Sequence, residues 1–250
     1  MEILSSGVPA ELIRAMKEDN DTIRELASRT MIQFAWLADG RQYLVEQSII
    51  NDIVICLDDR VEKIRKNAYD SLLHLSKERY GCEGVVAHDV IRNLIDKLLT
   101  EKVESLLQLT LQLIKLLLNV EHGPPAALKV PSISRLRNLM THRNPDIRRL
   151  SAENIGSLSF AYPGKKRTIE EGCVNVLGEL LKDEVSEVRT LALRALASMT
   201  IEKSAKVQLI EGDYLNSISK LLYDESMQTR LNVVQLISNV GEHPLAKIEF

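Results

Sequence analysis

The sequence predicts an all-α, right-handed solenoid of about six repeats. Three observations support this class: a period of about 41 residues, a long amphipathic helix in each copy, and turn residues at recurring positions. With the start of each aligned segment called position 0, the copies begin at Ile23, Ile64, Leu106, Ile147, Val188 and Thr229. The steps are 41, 42, 41, 41 and 41 residues, and such a fixed period indicates stacked helical repeats.

The segment that follows position 0 predicts the longest helix of each copy. Positions +4, +8 and +11 are mostly small or apolar, and this spacing places them on one helix face. In the fifth copy they are Ala192, Leu196 and Met199. The small residue at +4 lets a neighbouring backbone come close. The predicted helices cover 23–38, 64–77, 104–120, 147–160, 188–201 and 229–241, with ends fixed to within about 2–4 residues.

Two further helices precede the long one in each copy. The nearer is of intermediate length and ends in an acidic turn, where a negative charge suits the amino end of the next helix. Position −5 in this turn is occupied by Glu18, Asp59, Glu101, His142, Asp183 and Asp224. The first helix is shorter still and is closed by a glycine, as at Gly172 and Gly212, because glycine just past a helix end is a C-cap signal.

Two segments interrupt the period and are predicted to be loops. They cover 80–84 and 121–127, and Pro131 then opens the next helix. Because proline does not fit a helix interior, the first helix of the fourth copy should be reduced. One domain is expected over 1–250, with repeats at 1–39, 40–77, 78–120, 121–161, 162–202 and 203–241 and a truncated repeat at 242–250. Neither end resembles a polar capping unit, so we expect fraying at 1–20 or self-association.

Composition and charge argue against nucleic acid and membrane as partners. The chain has 32 basic and 35 acidic residues and a net charge of −3, whereas duplex binders carry a dense basic field. The most apolar stretch, 106–120, contains a lysine and four other polar residues, so no membrane span is predicted. No signal peptide is evident. Three widely spaced cysteines, Cys56, Cys82 and Cys173, predict reduced, buried thiols and a cytoplasmic location.

No pattern of catalytic, cofactor-binding or metal-binding residues stands out. Gly164, Lys165 and Lys166 lack the flanking residues of a phosphate-binding loop. The five histidines show no pairing at i and i+4 and no cysteine cluster nearby. We therefore expect neither enzymatic activity nor a cofactor nor a metal ion.

A recurring arginine at position +1 has two interpretations. It is found in five copies, as Arg24, Arg65, Arg148, Arg189 and Arg230. It could form a ladder for an acidic ligand, or pair with the acidic turn of its own or a neighbouring repeat. The shared period of the arginine and the acid favours pairing, which contributes about 0–1 kcal/mol per exposed pair. Such pairs would set the angle between repeats more than the stability.

Three helices in about 41 residues resemble the armadillo repeat, with the two-helix HEAT repeat as the near alternative. In armadillo proteins the third helices line a concave groove, and nuclear-import adaptors and catenins carry Trp or Asn there near positions +6 and +10. Tryptophan is absent from both positions here, and asparagine is found once, so recognition of basic localisation peptides is not expected. The candidate groove residues are Arg29, Gln33, Asp70, His74, Leu109, Gln112, Leu116, Glu153, Ser157, Arg194, Ser198, Gln235 and Asn239.

Leu116 is the one apolar residue at position +10. Together with Leu109 it adds apolar area to the groove side of the third copy. Either the flanking irregular segments fold over it, or a partner contacts it, and the sequence leaves both open.

Among armadillo proteins, the chain most resembles the radial spoke head protein 14 homologues of cilia and flagella. The resemblance is carried by Ile64–Leu72, Glu83–Val86, Leu94–Lys102 and Ser186–Leu196. It implies a non-catalytic subunit of the radial spoke that contacts other spoke subunits in the axoneme. Relative to that family, the chain lacks an amino-terminal stretch and the end of the carboxyl-terminal region. The alternative function is a cytoplasmic adaptor that holds a peptide or cargo protein in its groove.

Overall fold

The structure is a computed structural model that describes residues 7–244 and 246. Within these residues the chain forms seventeen α-helices and no β-strand, which confirms the predicted all-α class. The helices form two compact units, divided between Ala127 and Leu128. The single domain expected over 1–250 stays a prediction. Residues 1–6 and most of the expected truncated repeat at 242–250 lie outside the described residues.

The first unit contains the first three repeats. Its helices are α1 (Val8–Ala15), α2 (Asp21–Trp36), α3 (Ala38–Glu46), α4 (Ile50–Ile55), α5 (Glu62–Leu75), α6 (Arg79–Ala87), α7 (Val90–Thr100) and α8 (Glu104–Leu117). A 3-10 turn at Cys56–Asp58 extends α4, and α9 (Gly123–Leu128) lies where the units divide.

The second unit contains the rest of the fourth repeat and the last two. Its helices are α10 (Ser132–Leu139), α11 (Pro145–Leu158), α12 (Tyr162–Glu170), α13 (Cys173–Leu180), α14 (Ser186–Met199), α15 (Lys203–Glu211), α16 (Leu215–Lys220) and α17 (Met227–Gly241). A 3-10 turn at Leu221–Tyr223 extends α16.

The long third helices, α2, α5, α8, α11, α14 and α17, begin and end within three residues of the predicted bounds. Position +4 is buried in all six and position +11 is too, which confirms the assigned face. Position +8 is buried in five, while Ile237 in α17 is partly exposed. Each buried leucine or isoleucine contributes about 1.5–3 kcal/mol, so this face supplies much of each repeat's stability.

The loop predicted at 80–84 is wrong, because these residues lie in α6. Gly81 belongs there because a side-chain methyl would overlap the carbonyl oxygen of Leu75 at the end of α5. The same position, +17, holds a small residue in every copy. The six residues are Gly40, Gly81, Gly123, Gly164, Ala205 and Ala246. The glycine therefore marks a close approach between consecutive helices rather than a break.

The segment predicted as a loop at 121–127 contains α9 instead. This helix has six residues, whereas α3, α6, α12 and α15 at the same place in other repeats have nine. Pro124 and Pro125 lie in its first turn, where a missing N–H costs nothing. The helix is thus reduced, as predicted, but present. In the other repeats the first helix has nine residues, which is more than most second helices have. The prediction that the first helix is the shorter of the two is therefore wrong.

Residues with a left-handed backbone recur at one place, where the first helix of a repeat turns into the second. The five described residues with positive φ are Gly7, Ser48, Asp89, Gly172 and Asp213. The fourth repeat has Pro131 there with φ of −75°, because its ring cannot adopt positive φ. Gly212, predicted as a C-cap, precedes the left-handed residue and has φ of −79°.

Candidate partner-binding groove

In the first unit, the candidate groove residues lie on α2, α5 and α8. Arg29, Gln33 and Gln112 are exposed, whereas Asp70, His74, Leu109 and Leu116 are partly exposed. All except Leu109 are at positions +6 and +10, which point roughly away from the buried +4 residue because each residue turns the helix by about 100°. Leu109 is at position +3. The surface they form is polar except at the two leucines of α8.

His74 is held by its neighbours. Its Nδ1 lies 2.7 Å from the carbonyl oxygen of Asp70, and its ring packs against Trp36 with centroids 5.4 Å apart. The Asp70 carboxylate accepts a hydrogen bond from Lys66 Nζ at 2.8 Å. These two candidate residues therefore lie one turn apart on α5, and the sequence gave no sign of the Trp36 stack.

Leu116 borders a cleft of about 480 Å3 in the first unit. The cleft is lined by Ser76, Lys77, Glu78, Arg79, Cys82, Leu116, Asn119, Val120 and Glu121. The segments on either side of α8 are helical and leave Leu116 partly exposed. Charged side chains of both signs surround this leucine, so the cleft can accept an apolar group flanked by polar ones.

In the second unit, the candidate residues lie on α11, α14 and α17. Glu153 is buried with 8% of its surface exposed, although it was a candidate for the partner-binding groove. Arg194 is exposed and places Nη2 3.3 Å from Glu153 Oε1, while Arg149 Nη1 lies 3.9 Å from Oε2. This buried carboxylate between two guanidinium groups links α11 to α14.

The polar residues at position +10 also link neighbouring helices. Ser198 Oγ donates to the carbonyl oxygen of Ser159 at 3.1 Å, and Asn239 Nδ2 donates to that of Ala197 at 2.9 Å. Gln235 Nε2 donates to Asn239 Oδ1 at 3.1 Å. Ser157 Oγ donates within α11, to the carbonyl oxygen of Glu153 at 3.2 Å. Part of this surface is therefore occupied by contacts between repeats.

Four of the five arginines at position +1 pair with the acidic turn of the following repeat rather than forming an open ladder. Arg148 Nε and Nη2 donate to Asp183 at 2.7 and 2.9 Å, and Nη1 donates to the carbonyl oxygens of His142 and Arg143. Each arginine thus joins the acidic turn of its own repeat to that of the next. The other pairs of this repeat-linking kind are Arg24–Asp59, Arg65–Glu101 and Arg189–Asp224.

These repeat-linking pairs are more shielded than the exposed pairs expected from the sequence. The acidic side chains are between 3% and 11% exposed. Burial alone would raise the pKa of Asp183, but hydrogen bonds from Arg148 and the Val185 N–H outweigh it, so the pKa is lowered. The pKa values of Asp59 and Asp224 are lowered for the same reasons.

The three cysteines are buried and free. Burial raises the pKa of Cys56 to about 11 and that of Cys173 to about 12, so these thiols are poor nucleophiles at neutral pH. Among the described residues, no cluster of three or more His, Cys, Asp or Glu side chains could hold a metal ion. None of the helices in residues 7–244 is long and apolar enough to cross a membrane.

Sequence reasoning missed the asparagines at position +3. Asn67 Nδ2 donates to Ser28 Oγ at 2.9 Å, and Asn232 Nδ2 donates to the carbonyl oxygen of Thr190 at 3.0 Å. Both reach back to the preceding repeat. The sequence could have indicated them, because two copies have asparagine at the same repeat position. The lining residues Arg79 and Cys82 were also missed. Cys82 lies in the segment 80–84 that was predicted to be a loop, and Arg79 precedes that segment.

Comparison with known families gives one match over most of the chain. The model described as dynein axonemal assembly factor 5-like, TPR repeats, matches residues 21–240. The three-helix repeat of about 41 residues seen here has armadillo geometry, since a TPR unit has two helices in about 34 residues.

Solved structures of designed armadillo proteins share the fold. The designed protein YIII(Dq)4CqI is 17% identical with a TM-score of 0.81, and the match covers 93% of this chain and 99% of that one. A designed armadillo protein in complex with peptide (KR)4 is 18% identical with a TM-score of 0.82, covering 93% and 98%. Computationally designed armadillo proteins for modular peptide recognition reach 0.84 at 18% identity, covering 92% and 98%.

Proposed function

Because the chain belongs to the dynein axonemal assembly factor 5-like TPR repeat family, we propose that it is a non-catalytic scaffold that binds other proteins and serves the axoneme. One observation carries the protein-binding part: the partly exposed Leu109 and Leu116 lie on α8, and Leu116 borders the cleft. An apolar anchor ringed by polar side chains is the usual centre of a protein interface.

The finer role that we propose is a structural subunit of the radial spoke. Its support is the resemblance of Ile64–Leu72 and Ser186–Leu196 to the radial spoke head protein 14 homologues. A subunit of this kind stays in the axoneme and contacts other spoke proteins through several surfaces. No catalytic group is required for such a role.

A second role is favoured by the family description, which names a dynein axonemal assembly factor. A factor of that kind would act in the cytoplasm, contact dynein subunits before they are installed, and remain outside the finished axoneme. A third role, an adaptor that holds a peptide or cargo protein in its groove, is favoured by designed armadillo proteins made for modular peptide recognition.

Fractionation of ciliated cells separates these roles. A tagged wild-type chain should remain with axonemes after detergent extraction and co-purify with radial spoke subunits if the spoke proposal is right. Recovery with dynein subunits in the cytoplasmic fraction would favour the assembly role. A cytoplasmic chain that captures neither would leave the adaptor and remove the axonemal role.

The Leu116→Asp variant tests the candidate interface. It places an unpaired charge where an apolar contact is proposed, which is costly on burial, so the axonemal share of the protein should fall. Ser105→Asp is the matched control, since it puts the same charge on an exposed position of α8 that is not among the candidate groove residues. A Leu116→Asp chain that is folded by circular dichroism and is incorporated like the control would remove Leu116 from the interface.

A further inference from the structure

We propose that the second unit binds an acidic segment of a partner protein at the edge where α11 turns into α12 and α14 turns into α15. The segment pairs one carboxylate with Lys165 and places an apolar side chain against Phe160 and Ile201. This edge shares no residue with the cleft at Leu116 in the first unit, so the proposal does not depend on that interface.

Basic side chains at position +18, directly after the small residue at +17, have acidic partners elsewhere in the chain. Arg41 at the start of α3 pairs with Glu78, which follows α5. Lys206 near the start of α15 places Nζ 2.6 Å from Glu242 Oε2, just after α17 and at position +13. A base at +18 therefore ties the first helix of a repeat to an acid that follows the third helix.

Lys165 occupies position +18 on α12 but lacks such a partner. It is 8% exposed, and a lysine that buries its aliphatic stem keeps its ammonium towards water. Ile201 stands where the next copy has Glu242, and the acid Glu202 comes one residue later. In the described part of the chain, neither Glu202 nor another carboxylate pairs with Lys165. Because a largely buried charge is stabilised by an opposite charge, this ammonium favours a carboxylate from outside.

Large apolar side chains are exposed at the same edge. Phe160, between α11 and α12, is 83% exposed, Tyr162 is 63% exposed and Ile201 is 65% exposed. Helices of the fourth and sixth repeats are described on either side of this edge, so the exposure does not come from a chain end. Apolar side chains grouped on a surface mark interaction sites more often than scattered ones do.

The repeat geometry places Lys165 between these apolar side chains. Arg41 Nη1 donates to the carbonyl oxygen of Trp36 at 2.8 Å, and Trp36 is at +13 of the same copy. The +18 side chain of the fifth copy contacts +13 of the following copy, as described above. For Lys165 these two positions are Phe160 and Ile201. The ammonium is therefore flanked by an aromatic side chain on one side and an aliphatic one on the other.

A cavity of about 280 Å3 adjoins this edge and can receive a side chain of the segment. Tyr162 and Ile169 of α12 and Ser204 and Gln208 of α15 are among its lining residues. It is thus bounded by two first helices of consecutive repeats, with apolar groups on α12 and polar ones on α15.

The charges at the cavity favour a single carboxylate over a phosphate group. Glu170 and Glu202 also line it, and Lys166 lies 3.8 Å from Glu170 between Nζ and Oε1. Two carboxylates would repel a multiply charged phosphate or a nucleic-acid backbone. A protein segment with one Asp or Glu beside a large apolar residue matches both the unpaired ammonium of Lys165 and the exposed apolar side chains.

Random short peptides displayed on phage identify such a segment. They are selected on the wild type, and those that still bind the Leu116→Asp chain are kept, because these do not use the cleft in the first unit. The kept sequences should have Asp or Glu beside Leu, Ile, Phe or Met. Recovery of no such peptide would overturn the proposal without bearing on Leu116.

Fluorescence anisotropy with a kept peptide tests the residues of the edge. Lys165→Met should weaken binding about tenfold or more, as expected for a lost interfacial ion pair, and Lys165→Arg should retain it. Lys206→Met is the matched control, since its charge is at the same repeat position but pairs with Glu242. Phe160→Ala should weaken binding too, whereas Tyr223→Ala, at an aromatic residue that is 89% exposed elsewhere, should not.

A double-mutant cycle tests the ion pair itself. Changing the acidic residue of the peptide to its amide should weaken binding to the wild type about tenfold and to Lys165→Met much less, because the second chain has no ammonium to lose. Circular dichroism verifies that each variant is folded. Equal losses on the two chains would overturn the pairing with Lys165, and a folded Phe160→Ala chain that binds like the wild type would overturn the apolar contact.

Discussion

Two residues of α14 that lie two positions apart, Ala192 and Arg194, should contribute very differently to the stability of the fold. Ala192 is fully buried at the close contact of position +4, whereas Arg194 is exposed and reaches Glu153 at 3.3 Å. Ala192→Leu should destabilise the protein by roughly 1–3 kcal/mol, because extra methylenes overpack the contact. Arg194→Leu should lower the melting temperature less than Ala192→Leu does. Equal melting temperatures for the two variants would contradict the assigned helix face.

Asp183 should make stability sensitive to acid. Its pKa is lowered in the folded state, and a carboxyl with a lowered pKa adds stability that is present above its unfolded pKa. That stability is lost as the pH falls through the folded pKa. Asp183→Asn should therefore cost about 1–3 kcal/mol at neutral pH, since hydrogen bonds to a charged group are weakened.

The measurement is the free energy of unfolding in urea between neutral pH and about pH 3, the range in which a carboxyl of lowered pKa takes up its proton. The difference between Asp183→Asn and wild type should shrink as the pH falls. The exposed Glu187→Gln is the control and should follow the wild type throughout. A difference that is independent of pH would show that the carboxylate charge does not carry the effect.

At the scale of elements, the turn between the first and second helices has a specific backbone requirement. Gly172 has φ of +76°, and a methyl group added there would meet only Arg137 Nη1 at 3.6 Å. Gly172→Ala should therefore destabilise the protein by about 1–2 kcal/mol through the backbone alone. Gly241→Ala is the matched control, because its φ is not positive and nothing lies within 4 Å. Equal melting temperatures for Gly172→Ala and Gly241→Ala would show that the left-handed backbone at Gly172 imposes no cost on a side chain.

The long helices could be placed from the sequence because their core face repeats with each turn of helix. The segment around Gly81 could not, since a glycine can mark either a loop or a close approach of two backbones. In the structure, the carbonyl oxygen of Leu75 against Gly81 shows a close approach. The same position in the other copies, from Gly40 to Ala246, gave a periodic signal that favours close approach.

For the whole molecule, stability should vary along each stack of repeats. Each repeat contacts only its neighbours, so inner repeats gain two interfaces and outer ones gain one. In the first unit, amide hydrogens of α5 should exchange with solvent more slowly than those of α1. In the second, those of α14 should exchange more slowly than those of α17.

Hydrogen exchange measured by mass spectrometry, at a protein concentration at which the chain is monomeric, checks this expectation. At low concentration, α1 and α17 should be the less protected helices of their units. Residues 7–20 that are as protected as α11 of the fourth repeat, in a monomer, would contradict the expected fraying.

The sequence by itself determined the repeat, the all-α class, the six long helices and the pairing of arginine with acid. These features depend on side chains that recur at the same position of successive repeats. Such recurrence can be found in the sequence without knowing which residues are in contact in the folded protein. Tertiary structure decided the burial of Glu153, the stacking of Trp36 on His74 and the partial exposure of Leu116. Each of these depends on how a side chain of one repeat meets the next, and side chains at a given position differ from copy to copy.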